Sequence, residues 1–301
     1  MTELIDTDPI ETRVVAIANQ KGGVGKTTTT VNLAACLAQR GWQVLLIDLD
    51  PQANATSGLG LPMQEGASLY RALLGHGSTI GLLQPTMVPG LDIIPSELDL
   101  AGSEVDVARQ NNYLHCLNRA LKPLIQAGRY HLVLLDCPPA LGILTMNALT
   151  ASHGIMIPMQ CEYYALEGLS VMTRIVGQLR DSGANPRLEI EGILMTMFDG
   201  RTRLSGEVVA EVRKHFGETV YETTIPRNVR LSEAPSYGQS IIDYDKHSRG
   251  AKAYQAFADE FVARSGNHVP GGAATTPVPE ENAPTGLAPV EREIEDENAI
   301  A

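Results

Sequence analysis

The sequence predicts an α/β fold, a parallel sheet with helices on both faces. Two patterns predict it. Short runs rich in aliphatic and β-branched residues recur at 14–18, 44–47, 131–135, 190–197 and 220–225, as expected of buried parallel strands. Between them lie stretches with helical periodicity, such as Val31, Ala34, Ala35 and Ala38. Strand and helix alternating in this way make a sheet covered on both sides. The chain has 301 residues, 44% of them hydrophobic, enough for one large α/β domain. That domain is expected at 13–264, between an acidic N-terminal extension at 1–12 and an acidic tail at 265–301. The tail is rich in Pro, Gly and Ala and lacks aromatics, a composition expected to be disordered.

The first strand, 14–18, runs into Gln20-Lys21-Gly22-Gly23-Val24-Gly25-Lys26-Thr27-Thr28. A phosphate-binding loop is usually a glycine, four residues, then Gly-Lys-Ser/Thr. Gly25-Lys26-Thr27 fits that ending, whereas Gln20 stands where the first glycine belongs and Lys21 is an extra lysine. A helix is expected over 28–40, closed by Gly41. Strand, glycine loop and helix aim backbone N–H groups and a helix N-terminus at an anion. Gly22, Gly23 and Gly25 let the backbone approach it closely. Lys26 is expected on the β- and γ-phosphates, and the Thr27 hydroxyl on Mg²⁺. An ordinary glycine turn explains neither Lys26-Thr27 nor the aspartates that end the second and third strands.

The second strand ends in Ile47-Asp48-Leu49-Asp50-Pro51-Gln52, and the third in Leu135-Asp136-Cys137-Pro138-Pro139. Ligands bind at the C-terminal edge of such sheets. An apolar strand ending in Asp beside a phosphate loop is a Walker B arrangement, so Asp136 is expected near Mg²⁺. Asp48 and Asp50, two residues apart, are expected on one strand face. Together these elements predict a P-loop NTPase domain.

Lys-Gly-Gly-Val-Gly-Lys-Thr-Thr, Ile-Asp-Leu-Asp-Pro-Gln and Leu-Asp-Cys-Pro-Pro resemble the ParA/MinD group of deviant Walker ATPases. Glu162-Tyr163-Tyr164-Ala165-Leu166-Glu167-Gly168 narrows the resemblance to ParA (Soj-type) chromosome-partitioning proteins. So do the segments at 195–202 and 225–235. The resemblance runs from about Arg13 to Arg264. It implies a Mg²⁺-dependent ATPase that forms an ATP-dependent homodimer, binds double-stranded DNA without sequence preference and is stimulated by DNA and a ParB-like partner. It implies that Lys21 reaches the partner subunit's phosphates, as an arginine finger supplied in trans would. It further implies that Asp50 positions the attacking water while Asp48 supports Mg²⁺ and the loop. ATP contacts are expected from Lys21 through Thr28, with Val24 among them, and adenine contacts from Met197, Pro226 and Asn228. Arg201 and Arg230 match positions linked in that family to DNA. The cytoplasm and nucleoid are the implied location, and chromosomal origins the implied cargo. A plasmid or a protein cluster is the alternative cargo.

Charge does not oppose this reading. Of the net −12, residues 266–301 carry −6 and residues 1–12 carry −4, leaving −2 for the domain. Between Arg201 and Lys252 nine bases face seven acids; charge alone reads there as a mixed solvated surface. The N-terminus has no apolar stretch typical of a signal peptide. No run reaches the ~20 apolar residues of a membrane span. A MinD-like membrane protein needs a basic amphipathic C-terminal helix, and this tail is acidic and proline-rich. Cys36, Cys116, Cys137 and Cys161 have no metal-like spacing and read as buried free thiols. A relative of the nitrogenase iron protein needs two cluster cysteines per subunit, and Cys137 lacks an evident partner. A metabolic P-loop enzyme would need a second catalytic constellation, which the sequence does not display. No helix-turn-helix precedes Arg13, which sets aside the long-form plasmid partition proteins.

Overall fold

The computed structural model describes residues 11–163 and 165–265. The predicted acidic extension and tail lie, but for their innermost residues, outside the described residues. Eight strands are present: β1 Arg13–Ile17, β2 Val44–Asp48, β3 Gln84–Pro85, β4 Leu91–Ile94, β5 Leu132–Asp136, β6 Gly154–Gln160, β7 Glu189–Phe198 and β8 Val220–Pro226. They form one sheet in the order β3-β4-β2-β5-β1-β6-β7-β8. Every pairing is parallel except that of the short edge strand β3 with β4.

Period-two alternation along the strands builds two cores. Val14 and Ala16 of β1 face one core, and Val15 and Ile17 the other. The helices are α1 Lys26–Gln39, α2 Asn54–Gly58, α3 Tyr70–Leu73, α4 Ser103–Ala108, α5 Cys116–Gln126, α6 Ile143–Ala151, α7 Ala165–Asp181, α8 Arg203–Phe216, α9 Val229–Glu233, α10 Ile241–Tyr244 and α11 Arg249–Arg264. Leu121 of α5, Ala148 of α6, Met172 of α7 and Val212 of α8 fill the first core. Leu33 and Leu37 of α1 meet Tyr254, Phe257 and Phe261 of α11 in the second. Helices therefore cover both faces, as the alternation predicts.

The parallel register places the functional ends together. β1 pairs with β5 so that Ile17 lies opposite Asp136, and β2 pairs with β5 so that Asp48 lies opposite Asp136. The phosphate loop, both strand-end aspartates and the loops after β7 and β8 thus share one edge. α1 begins two residues before the predicted helix and ends one residue earlier than predicted. Gly41, with φ of +84°, supplies the left-handed residue just past its end. Thr12 and Ser265, outside the predicted domain limits, are both buried; Thr12 donates to Tyr130 O and Ser265 to Phe261 O. Among the described residues no helix is long and apolar enough to cross a membrane.

Candidate nucleotide site and arginine loops

The phosphate loop is anchored at three points. Asn19 accepts from Lys21 N–H at 3.0 Å and donates to Pro158 O at 2.8 Å. Thr196 of β7 donates to Val24 O at 2.8 Å, and Val24 is buried. Gly25, with φ of +88°, turns the chain into α1, and its carbonyl accepts from Thr29 N–H. A left-handed residue here favours glycine.

These anchors shape a cavity of about 410 Å³ lined by Gly22, Gly23, Gly25, Lys26, Thr27 and Thr28 on one side. Asp50, Asn54, Ser57 and Gly58 line a second side, and Ala234, Pro235 and Gln239 a third. Met197 lines it as well; its φ of +51° is a strained conformation for a non-glycine residue. Pro226 and Asn228 line a smaller adjoining space of about 240 Å³ that shares Gly25, Thr28, Met197 and Pro235 with the first.

Lys26 is buried and reaches back across the loop to Lys21 O at 3.2 Å. Burial lowers its pKa, against the pull of Asp136, Cys137 and Asp50. Asp136 is fully buried, and burial, then the charge of Asp48, pushes its carboxyl well above the usual range. Thr30 donates to its Oδ1 at 2.8 Å, and the Thr27 hydroxyl helps stabilise its charged form. Its Oδ2 has no hydrogen-bond partner among the described residues. A buried carboxylate oxygen without a donor, beside a threonine hydroxyl, suits a hydrated hard cation.

Asp48 and Asp50 part company. The strand ends at Asp48, and Asp50 lies two residues beyond it, at the start of a turn in which Ala53 N–H donates to Asp50 O at 2.8 Å. The turn exists because Asp48 Oδ1 accepts from Asp50 N–H at 3.1 Å, while its Oδ2 accepts the Thr56 N–H at 2.9 Å and hydroxyl at 2.7 Å. Thr56 in turn accepts from Ser96 N–H at 2.9 Å. Asp48 is therefore a buried tie that holds the start of α2, and it does not line the cavity. Asp50 does, its Oδ1 accepting only from Gln52 N–H among the described residues.

Lys21 leaves the cavity. Its side chain is about half exposed and pairs with Glu162, which follows β6. Arg201 and Arg230 lie after adjacent strands β7 and β8, and Arg227, just past β8, donates its N–H to O of Phe198 at the end of β7 at 3.0 Å. Arg201 donates three hydrogen bonds to Asp199, from its guanidinium at 2.9 and 2.7 Å and from its backbone N–H at 3.1 Å. These bonds hold the Asp199 carboxyl down at about 2. Arg230, on α9, pairs with Glu233 at 2.9 Å and Asp245 at 3.7 Å. Cys36, Cys116, Cys137 and Cys161 are all buried and free.

The sequence family described as an AAA domain matches residues 12–190. The chain is 47% identical to the chromosome partitioning protein ParA of Caulobacter vibrioides, over 84% of this chain and 94% of that one. The chain belongs to the ParA/Soj family of chromosome-partitioning ATPases. It is 50% identical to the chromosome-partitioning ATPase Soj of Thermus thermophilus, over 84% of this chain and 96% of that one. The cobyrinic acid a,c-diamide synthase of Mycobacterium smegmatis, solved with bound ADP and magnesium, is 37% identical with a TM-score of 0.71, covering 82% of this chain and 93% of that chain.

Against the ParA/Soj motifs, sequence reasoning missed much of the cavity wall. Asn54, Ser57, Ala234, Pro235 and Gln239 are small or neutral, and nothing in their type marks a nucleotide. Ala234 and Pro235 close the 225–235 segment that carries the resemblance, which was the one available signal. Thr56 gave none, because its role depends on Asp48 eight residues earlier.

Proposed function

We propose that this ParA/Soj chain is a Mg²⁺-dependent ATPase whose ATP-bound homodimer binds double-stranded DNA without sequence preference and positions chromosomal origins on the nucleoid with a ParB-like partner. One observation carries the reading. The cavity lined by Lys26 and Asp50 is also lined by Ala234 and Pro235, which directly follow the helix bearing Arg230, and by Gln239 just beyond them.

Loop amides and Lys26 hold the phosphates, and Lys26 already lies in place over the loop. Thr27 and Asp136 would hold Mg²⁺, with Asp48 behind them fixing the turn. Mg²⁺ supplies charge neutralisation and a template for in-line attack. Asp50 orients the attacking water. Lys21 exchanges Glu162 for the partner subunit's phosphates, so the site is complete only in the dimer. Met197, Pro226 and Asn228 flank the adenine. Arg201 and Arg230 contact DNA phosphates, and such binding weakens with salt.

The test is binding to random-sequence duplex with ATP·Mg²⁺, with ADP and without nucleotide, with Arg230→Ala and anionic liposomes as controls. Salt-sensitive, ATP-dependent DNA binding that falls in Arg230→Ala supports the reading. No DNA binding in any state would end it. Liposome binding instead would favour a membrane role, and neither surface would favour a small-molecule reaction of the diamide-synthase kind.

A further inference from the structure

Two segments that each contribute to the nucleotide cavity meet through bare backbone. Gly60 ends the segment that begins at Asp50, and Gly238 ends the turn after α9. Both are left-handed, with φ of +79° and +65°. A Cβ on Gly238 would lie 2.6 Å from Gly60 Cα and 3.0 Å from its N, and a Cβ on Gly60 would lie 3.1 Å from Gly238 O. The contact thus has no side chain to yield, and backbone packed on backbone transmits displacement.

Each loop is stiff on its own side. Gly60 N–H donates to Ser57 O, and Gly238 N–H to Pro235 O at 3.0 Å. Beyond Gly238, Ile241 N–H donates to Asn32 Oδ1 at 2.7 Å, and Asn32 Nδ2 donates to Thr28 O at 2.7 Å on the phosphate-loop helix. Further on, Tyr244 donates back to Glu233, which precedes Gly238 and also holds Arg230. Asn54, Ser57 and Gly58 of α2, just before Gly60, and Ala234, Pro235 and Gln239, around Gly238, line the same cavity.

We infer that the Gly60–Gly238 contact is the joint through which the nucleotide state sensed by the Asp50 loop is passed to the segment carrying Arg230. This rests on the proposed function for its consequence at DNA, but the joint itself can be read without DNA. Coupling between two sites is reciprocal, and typical values amount to about 5–150-fold in affinity.

Hydrogen exchange at 228–245 with ATP·Mg²⁺ and with ADP reads the joint, and the ATP-to-ADP ratio of DNA affinity reads its consequence. In wild type, exchange at 228–245 is expected to differ between nucleotides and the affinity ratio to be on the order of tenfold or more. Gly238→Ala is expected to bind ATP, lose the exchange difference and bring the ratio close to one. Gly41→Ala is the control, because Gly41 also has positive φ but a Cβ there meets nothing within 4 Å. It should keep both responses. If Gly238→Ala does not fold, Gly60→Ala, with the milder overlap, takes its place. A folded joint variant with wild-type responses would overturn the inference, and so would equal loss in Gly41→Ala. Wild-type exchange that ignores nucleotide would also overturn it. A wild-type exchange response without any DNA binding would remove the proposed function and leave the joint standing.

Discussion

At the C-terminal ends of the central strands β1, β5 and β2, charge is taken out of water and held by loop backbone and threonine hydroxyls. Lys26, Asp48 and Asp136 are buried, Lys26 on a loop carbonyl and the acids on threonine donors. At the β7–β8 end, Arg201 and Arg230 stay in water, each against a nearby acid. Burying a charge is costly, so the first end must be built in advance and tolerates little change. Exposed ion pairs contribute little and exchange partners readily. The first region suits chemistry, and the second suits reversible contact with a polyanion.

The largest effect should fall at the buried end. Lys26→Ala is expected to lower ATP hydrolysis by at least about 10³-fold, through loss of the preorganised cation, as measured by steady-state phosphate release. Retained activity would break the comparison. Asp50→Ala should lower hydrolysis by about 10²-fold or more while ATP affinity stays within a few-fold, since water positioning acts on the transition state. Thr56→Val removes a hydroxyl from a buried carboxylate, so stability should fall by about 2 kcal/mol in urea denaturation. Thr56→Ser should recover most of that loss.

Effects at the exposed end should be smaller and depend on salt. Arg230→Ala should weaken DNA binding uniformly across sequences and reduce the salt slope by about 1. Asp199→Asn frees Arg201 from its bidentate acid and should raise DNA affinity by a factor of about 2–3, the scale of an exposed ion pair. An effect on stability comparable to that of Thr56→Val would show that these arginines are structural and erase the contrast.

The same contrast explains how far the site was legible in the residues alone. A phosphate loop needs Gly25 for its positive φ, Lys26 for charge and Thr27 for its hydroxyl, so the chemistry dictates the letters. Asp136 was legible because an apolar strand ends in it. Asp48 was only half legible. Whether a buried carboxylate ligates or ties depends on where Thr56 and the Asp50 N–H lie, and that is tertiary information. Gly60 and Gly238 read as loop punctuation, because their meaning is a mutual contact across 178 residues of sequence. Arg201 and Arg230 stood out through family resemblance, not charge, and the acids that hold them could not be foreseen.

Under the proposed function, the nucleotide in the buried region sets the grip of the exposed one. Duplex DNA binding by Asp50→Ala, in which ATP persists, tests this coupling most directly. Tight binding with ATP·Mg²⁺ that collapses with ADP, and that weakens steeply with salt, is the predicted result. Equal affinity in the two nucleotides would contradict it.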